Sequence, residues 1–428
     1  MSDNNKYDVI VIGSGIGGLS CAAILTLAGK RVLILEKDKV PGGCMQTIEK
    51  DGWTWNLGVQ YLALLSTHVG PLYINEKKIL KMITKPPVEL NELYLPKKHA
   101  DELTKHAYQK LDLLDFKEGG QYYLIADKVS MKKYLMREFP GLQAEVEKYW
   151  VYIDTIDTYL ANLLVLKVLP RFLANLLFPV IMKPLKPLMN RNCDQALEEI
   201  FPGTDKGADK LKTILYSYWN FLGLPINTNL ALWAIGQNQQ MHGIYSPKGG
   251  SAAIVDGMIN FITKPREGST TDPGEIRTGK KGEVEKVIVE GFFKTAKGVI
   301  MKDGNEFRAD VVVSSCGLLP TVGTMVEKKD VSRSIRKALD DHIYVPSIAI
   351  LRIAFEEGFW RDDLAEHVEP LAYRTMYDKA WTMDEDPTSP DWDPQEVMML
   401  FPRLYSTDKG DTTTKQTAEA IILTDYKK

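Results

Sequence analysis

Hydrophobic and polar positions alternate with three different periods along this chain, and each predicts an element. Val9 to Ile12 is a continuous apolar, β-branched run, the pattern of a parallel strand buried on both faces. Leu19 to Ala28 is helix-forming and small on one side, with Gly29 placed as its left-handed cap. Arg31 to Leu35 repeats the strand pattern. Trp53 to Gly58 alternates apolar and polar residues. Far downstream, Val284 to Glu290, Gly298 to Lys302 and Arg308 to Ser315 read as three strands, with Asp303-Gly304 a hairpin signal.

The turn between the first strand and helix is Gly13-x-Gly15-x-x-Gly18. In this motif the first glycine permits a tight turn and the second lets backbone approach a pyrophosphate. The third lets the helix pack closely on the strand. Glu36 ends the second strand, 18 residues after Gly18, where a carboxylate accepts hydrogen bonds from a ribose diol. A glycine turn that only packs explains the glycines but not Glu36. The same carboxylate repels a 2′-phosphate. This unit predicts a dinucleotide site and leaves NAD and FAD both open.

Composition narrows the picture. The chain has 428 residues, long for one core, so two or more subdomains are expected. A net charge of −3 gives no reason to expect nucleic acid. Cys21, Cys44, Cys193 and Cys316 are widely spaced, as reduced structural thiols are; Cys21 is expected to pack, and Cys44, directly after Gly42-Gly43, either packs, the preferred reading, or lies near the cofactor. The chain enters its first strand after six residues without a charged-then-apolar leader, which predicts cytoplasm or an organelle stroma.

Tyr159 to Asn190 is the most hydrophobic stretch. Its charge-free part, Phe172 to Met182, reaches only roughly 16 Å as a helix against a bilayer core of about 30 Å. A longer span would centre Lys167 and Arg171, each costing about 2.5–3.5 kcal/mol, and Pro170 and Pro179 would break it. A transmembrane helix is therefore not expected. Two readings remain. One is a pair of short core helices. The other is a peripheral patch in which Leu163, Leu164, Leu166, Leu173, Leu176, Leu177 and Phe178 enter a membrane surface, with Lys167, Arg171, Lys183 and Lys186 at the headgroups.

No Ser-His-Asp set, H-E-x-x-H motif or metal cluster is visible, and no catalytic side chain is assigned. His68, His99, His106, His242, His342 and His367 are scattered, as surface or packing residues are; His242 alone stands near a motif, five residues before Pro247. Asp256 is expected in solvent or bound to a local partner. Tyr61, Tyr216, Tyr218, Trp219, Trp233 and Tyr245 either wall an apolar tunnel or form an ordinary core.

Beyond Glu36 comes a second glycine pair, Pro41-Gly42-Gly43, which suits a cofactor longer than NAD. With the G-x-x-Y element Gly58 to Tyr61 and the Pro247-Lys248-Gly249-Gly250 turn before a helix, the chain resembles the FAD-dependent phytoene desaturase, carotenoid isomerase and retinol saturase group, relatives of the amine oxidase flavoproteins. The resemblance implies an α/β fold: a Rossmann-like FAD-binding domain with a β-meander, interleaved with an α+β substrate domain. The expected division is 1–70 and 241–325 for FAD, 71–240 and 326–428 for substrate. The implied FAD contacts are Gly13, Gly15, Gly17, Gly18, Glu36, Lys37, Gly42, Gly43 and, through its backbone, Val284.

Two departures stand out. Asn56 occupies a position usually held by Asp, and the group's final glycine-containing FAD segment has no counterpart before Lys428, so a C-terminally truncated chain is expected. The implied activity is oxidation, reduction or isomerisation at C=C bonds of a lipophilic polyene, with an unassigned electron partner. Amine oxidation on the same scaffold and a flavin-poor lipid-binding relative are the alternatives.

Overall fold

The computed structural model describes residues 6–59, 61–63, 68–69, 74–94, 110–116, 119–202, 206–220, 228–241, 244–340, 347–355, 372–376, 397–400 and 416–424. These fall into two compact units. Unit 1 comprises 1–61, 77–90 and 247–344; unit 2 comprises 62–76, 91–246 and 345–428. Residues 77–90 and 326–344 thus group with the first glycine motif.

Unit 1 is built on strands β1 (Lys6–Ile12) and β2 (Val32–Glu36), joined by helix α1 (Ile16–Leu27). Every residue of β2 is buried, which explains its unbroken apolar pattern. Gly29, at φ 79°, turns the chain out of α1. A hairpin of β3 (Thr47–Lys50) and β4 (Trp53–Asn56) follows. The unit resumes with α2 (Ser251–Thr263), β5 (Glu275–Thr278), β6 (Val284–Glu290), β7 (Thr295–Met301) and β8 (Glu306–Ser314).

The main sheet has the order β5-β2-β1-β8-β7-β6. Its first four strands run parallel and the last three form an antiparallel meander. β7 begins three residues earlier than the pattern predicts, because Gly298 lies inside the strand: a Cβ there would stand 2.2 Å from the Phe307 carbonyl oxygen. Tyr7, Ile10, Ile12, Leu33, Leu35, Val299, Met301 and Phe307 form a core on the sheet. Fully burying one such side chain contributes about 1.5–3 kcal/mol.

Unit 2 holds a mixed six-stranded sheet, in the order 120–125, 110–116, 372–376, 397–400, 416–424, 347–355. Its helices include Gln143–Val168, Arg171–Met189, Lys206–Asn220 and Leu230–Gln240. Tyr216, Tyr218, Trp233 and Tyr245 are fully buried within this unit and are core residues rather than tunnel walls. The Trp219 side chain lies outside the described residues, and Tyr61, in unit 1, is half-buried.

The apolar middle differs from the expectation of short core helices and, at Leu166, from the patch assigned from sequence. Pro179 does not break it: one helix runs from Arg171 to Met189. Pro179 is solvent-exposed, where the carbonyl freed by its missing N–H can turn to water. Nor are the two helices short or both buried. The first has 26 residues, and the second leaves Phe172, Leu176, Leu177, Phe178 and Val180 exposed. Leu166, assigned to the patch from sequence, is buried instead. The Leu163, Leu164 and Lys167 side chains lie outside the described residues. Among the described residues no helix is long and apolar enough to cross a membrane.

Candidate cofactor site

Register places the site. Ile12 pairs with Leu35 on one side and Ser314 on the other, and Glu36 pairs with Thr278. The parallel strands therefore end together, and the segments that follow them converge at one edge. A cavity of about 640 Å³ opens there. Carboxyl ends of parallel strands are where α/β sheets bind ligands.

The cavity is lined by Gly13, Gly15, Glu36, Lys37, Gly43 and Val284 among the residues predicted from sequence. Gly17, Gly18 and Gly42 do not line it. Their positions are supporting ones. A Cβ on Gly18 would lie 2.2 Å from the Gly13 carbonyl oxygen, so this glycine is what lets α1 close onto the turn. Gly42, at φ 117°, forms a parallel bridge with Gly15, setting the second glycine pair beside the first. Gly17 lies on α1, where a Cβ would rest 3.4 Å from Ser315 Oγ.

Gly15 differs from all of these. Its backbone is extended, at φ −61° and ψ 167°, and a Cβ there would meet nothing within 4 Å. Neither strain nor packing in the protein requires glycine at this position. It stands before α1, where unpaired helix N–H groups favour an anion.

Glu36 is nearly buried. Its Oε2 accepts from the Ser14 backbone N–H at 2.8 Å and from Ser14 Oγ–H at 2.7 Å, and its Oε1 accepts from the Asp38 N–H at 2.9 Å. Ser14 Oγ in turn accepts from the Gly42 N–H at 3.1 Å. Ser14 was not singled out from sequence, since it stands between Gly13 and Gly15 where the motif specifies no residue type. Val284 reaches the cavity through Gly282, whose Cβ would stand 2.3 Å from the Glu36 carbonyl oxygen and 2.2 Å from that of Arg277. Only glycine allows this approach, and it brings the start of β6 against the end of β2.

Ser315 and Cys316 also line the cavity. They follow β8, which pairs with β1 across roughly 300 residues of sequence, and no local pattern marks them. Cys44 corrects the packing role expected for it: it is exposed and lines the cavity, because the tight turn Gly43–Met45 directs Met45 inward instead. Cys21 is only half-buried. Asp256 is exposed, as expected. His99, His106, His242, His342 and His367 lie outside the described residues, as does the His68 side chain. No cluster of three metal-ligating side chains occurs among the described residues.

Asn56 has a defined partner. Its Oδ1 accepts from the Ser251 N–H at 3.1 Å and lies 3.0 Å from Ser251 Oγ, whose one proton is shared with the Met45 carbonyl oxygen at 2.9 Å, closing the first turn of α2 after the Pro247 to Gly250 turn. Oxygen acceptance is what the position requires, and an amide supplies it as a carboxylate would.

Comparison with known proteins follows the same lines. Residues 11–73 match the family model of the NAD(P)-binding Rossmann-like domain. Human all-trans-retinol 13,14-reductase is 28% identical over 74% of this chain and 48% of its own. A Danio rerio protein named inactive all-trans-retinol 13,14-reductase is also 28% identical, over 74% of this chain and 48% of its own. Phytoene desaturase of Fusarium fujikuroi is 26% identical over 79% and 54%. The chain spans about half the length of the curated relatives it matches. Among solved structures, a Pyrococcus furiosus protein aligns with a TM-score of 0.58 at 16% identity, covering 98% of this chain and 79% of that one. Putrescine oxidase bound to putrescine aligns at 0.55 and 15%, covering 99% and 76%. The first βαβ unit is thus part of a nucleotide-binding Rossmann-like fold, and about three quarters of the chain is similar to retinol reductase and phytoene desaturase proteins.

Proposed function

We propose that unit 1 binds FAD and that the chain is part of an oxidoreductase acting on C=C bonds of a lipophilic polyene. The observation that carries this reading is the cavity at the strand ends. It joins the open face of Gly15, the acceptor Glu36, the second glycine pair through Gly43, and Val284 on the meander. These features fit an elongated dinucleotide. Gly15 leaves room for a pyrophosphate before α1, and Glu36 stands at the ribose position. The bridge between Gly15 and Gly42 supports a cofactor that continues past the ADP half. Glu36 disfavours a 2′-phosphate by charge.

FAD, when bound, supplies the two-electron redox chemistry, and the protein supplies binding and orientation. Gly13 and Gly15 offer backbone to the phosphates, Glu36 receives ribose, and Val284 offers backbone at the adenine end. No side chain is assigned to catalysis.

Similarity to named retinol reductase and phytoene desaturase proteins supports a retinoid-like or carotenoid-like substrate, undergoing saturation, isomerisation or desaturation. An apolar substrate of that kind is met at a lipid surface. From Thr158 to Cys193 the sequence carries Lys167, Arg171, Lys183, Lys186 and Arg191 and no acid. The exposed Phe172, Leu176 and Val180 recur every four residues on the helix Arg171–Met189, and with these cations they support a peripheral contact with anionic lipid.

The test is the colour and turnover of the purified chain. A visible flavin spectrum with polyene conversion supports the proposal. Amine turnover releasing hydrogen peroxide, with none on polyenes, overturns the substrate class. A colourless protein that binds neither FAD nor ADP overturns the cofactor.

A further inference from the structure

We propose that Ser14 is a positioning residue which limits Glu36 to a single hydrogen bond from the ribose. This rests on the reading of the cavity as a dinucleotide site and sharpens it. A carboxylate offers about four lone-pair positions. Three are already taken within the protein: two on Oε2, by the Ser14 N–H and Oγ–H, and one on Oε1, by the Asp38 N–H. One acceptor position remains, on Oε1, of a nearly buried side chain that lines the cavity. A ribose diol held by both hydroxyls would need two.

The direction of the Ser14 hydroxyl is fixed by its neighbours. The Gly42 N–H can only donate, so Ser14 Oγ accepts from it, and the hydroxyl proton goes to Glu36. Ser14 is fully buried, so no water competes for either bond. One hydroxyl therefore ties together the glycine turn, the ribose carboxylate and the second glycine pair. With Oε2 held from two directions, the carboxylate plane is set and Oε1 alone is presented to a ligand.

The measurement is calorimetric binding of ADP, 2′-deoxy-ADP, 3′-deoxy-ADP and 2′,3′-dideoxy-ADP to the full chain, freed of co-purified nucleotide. For the native sequence, one monodeoxy nucleotide binds about tenfold more weakly than ADP, the value of a hydrogen bond to a charged group. The other binds within about twofold of ADP, and the dideoxy nucleotide is no weaker than the poorer monodeoxy one. In Ser14→Ala the vacated position on Oε2 admits the second ribose hydroxyl, so both monodeoxy nucleotides bind more weakly than ADP and the discrimination between them collapses. Ser14→Thr, which keeps the hydroxyl, retains it. If the alanine variant fails to fold, Ser14→Cys, with similar shape and a weak donor, carries the same test.

Two results overturn the inference. One is a native chain with losses at both hydroxyls that multiply in the dideoxy nucleotide, which is the signature of a two-bond diol. The other is a Ser14→Ala protein that weakens every nucleotide equally, which is the behaviour of a merely structural clasp. A native chain that binds no ADP at all overturns the dinucleotide reading itself.

Discussion

Gly15 and Gly18 belong to one motif, yet the structure gives them opposite reasons to be glycine, and alanine substitutions separate the two. In Gly18→Ala the new methyl would lie 2.2 Å from the Gly13 carbonyl oxygen and 3.1 Å from Ser315 Cβ. Ordinary van der Waals contact is more than 1 Å longer than the first distance, so α1 must shift off the turn. Overpacking of this kind costs about 1–3 kcal/mol. In a unit of this size each kcal/mol lowers the melting temperature by about 2–4 °C, so a drop of about 2–12 °C is expected. In Gly15→Ala the methyl enters open space at a backbone conformation that alanine adopts freely. Reduced chain entropy in the unfolded state offsets the poorer helix cap, and stability stays within about 1 kcal/mol. ADP affinity nonetheless falls by about tenfold or more, because the methyl blocks close backbone approach. The assay is thermal unfolding without nucleotide, followed by ADP titration of the folded fraction. A Gly15→Ala protein destabilised as much as Gly18→Ala would show that the space is not open. One that binds ADP normally would show that no phosphate passes there.

Other expectations follow from single contacts. Asn56→Ala removes the acceptor of the Ser251 N–H, the hydroxyl keeping the Met45 carbonyl, and should lower unfolding free energy by about 1–3 kcal/mol in urea titration. Asn56→Asp keeps the acceptor and adds charge at the start of α2, a gain of about 0.3–1 kcal/mol. Leu176→Asp should weaken flotation with anionic vesicles about tenfold or more while leaving circular dichroism unchanged; unchanged flotation would remove the lipid contact. Burial and a hydrogen bond to Glu275 push the Tyr7 hydroxyl up to about 12. A raised folded value means that this contribution is complete below the ordinary tyrosine range and is lost as pH rises through about 12. Tyr7→Phe should therefore flatten the alkaline limb of stability against pH, and an unchanged limb would refute the assignment. Glu275 is partly buried, which raises its pKa, but hydrogen bonds from Arg277 and Tyr7 outweigh this and lower it. Its contribution is present above the ordinary carboxylate range and fades as pH falls through the lowered value, so Glu275→Gln and the native chain should converge in stability at acid pH.

Much of the nucleotide-binding unit was legible because its signals are local. Strand, turn, helix and strand lie within Lys6 to Glu36, where periodicity and glycine spacing report short-range geometry. The three strands from Val284 onward were legible for the same reason, apart from the early starts of β7, by three residues, and of β8, by two. The helix through Pro179 was not, because a proline penalises a helix locally while its exposure is decided by what packs around it. By itself the sequence determined the first βαβ unit, the glycines and the carboxylate at the end of β2. Only the tertiary structure decided which glycines face the cavity and which merely pack. It also decided that Ser14 holds Glu36, that Cys44 is exposed, and that Ser315 and Cys316 complete the wall. The physical reason is parallel pairing. β1 and β8 share a register across roughly 300 residues, and a hydrogen-bonded ladder of that separation leaves no trace in the residues beside either strand.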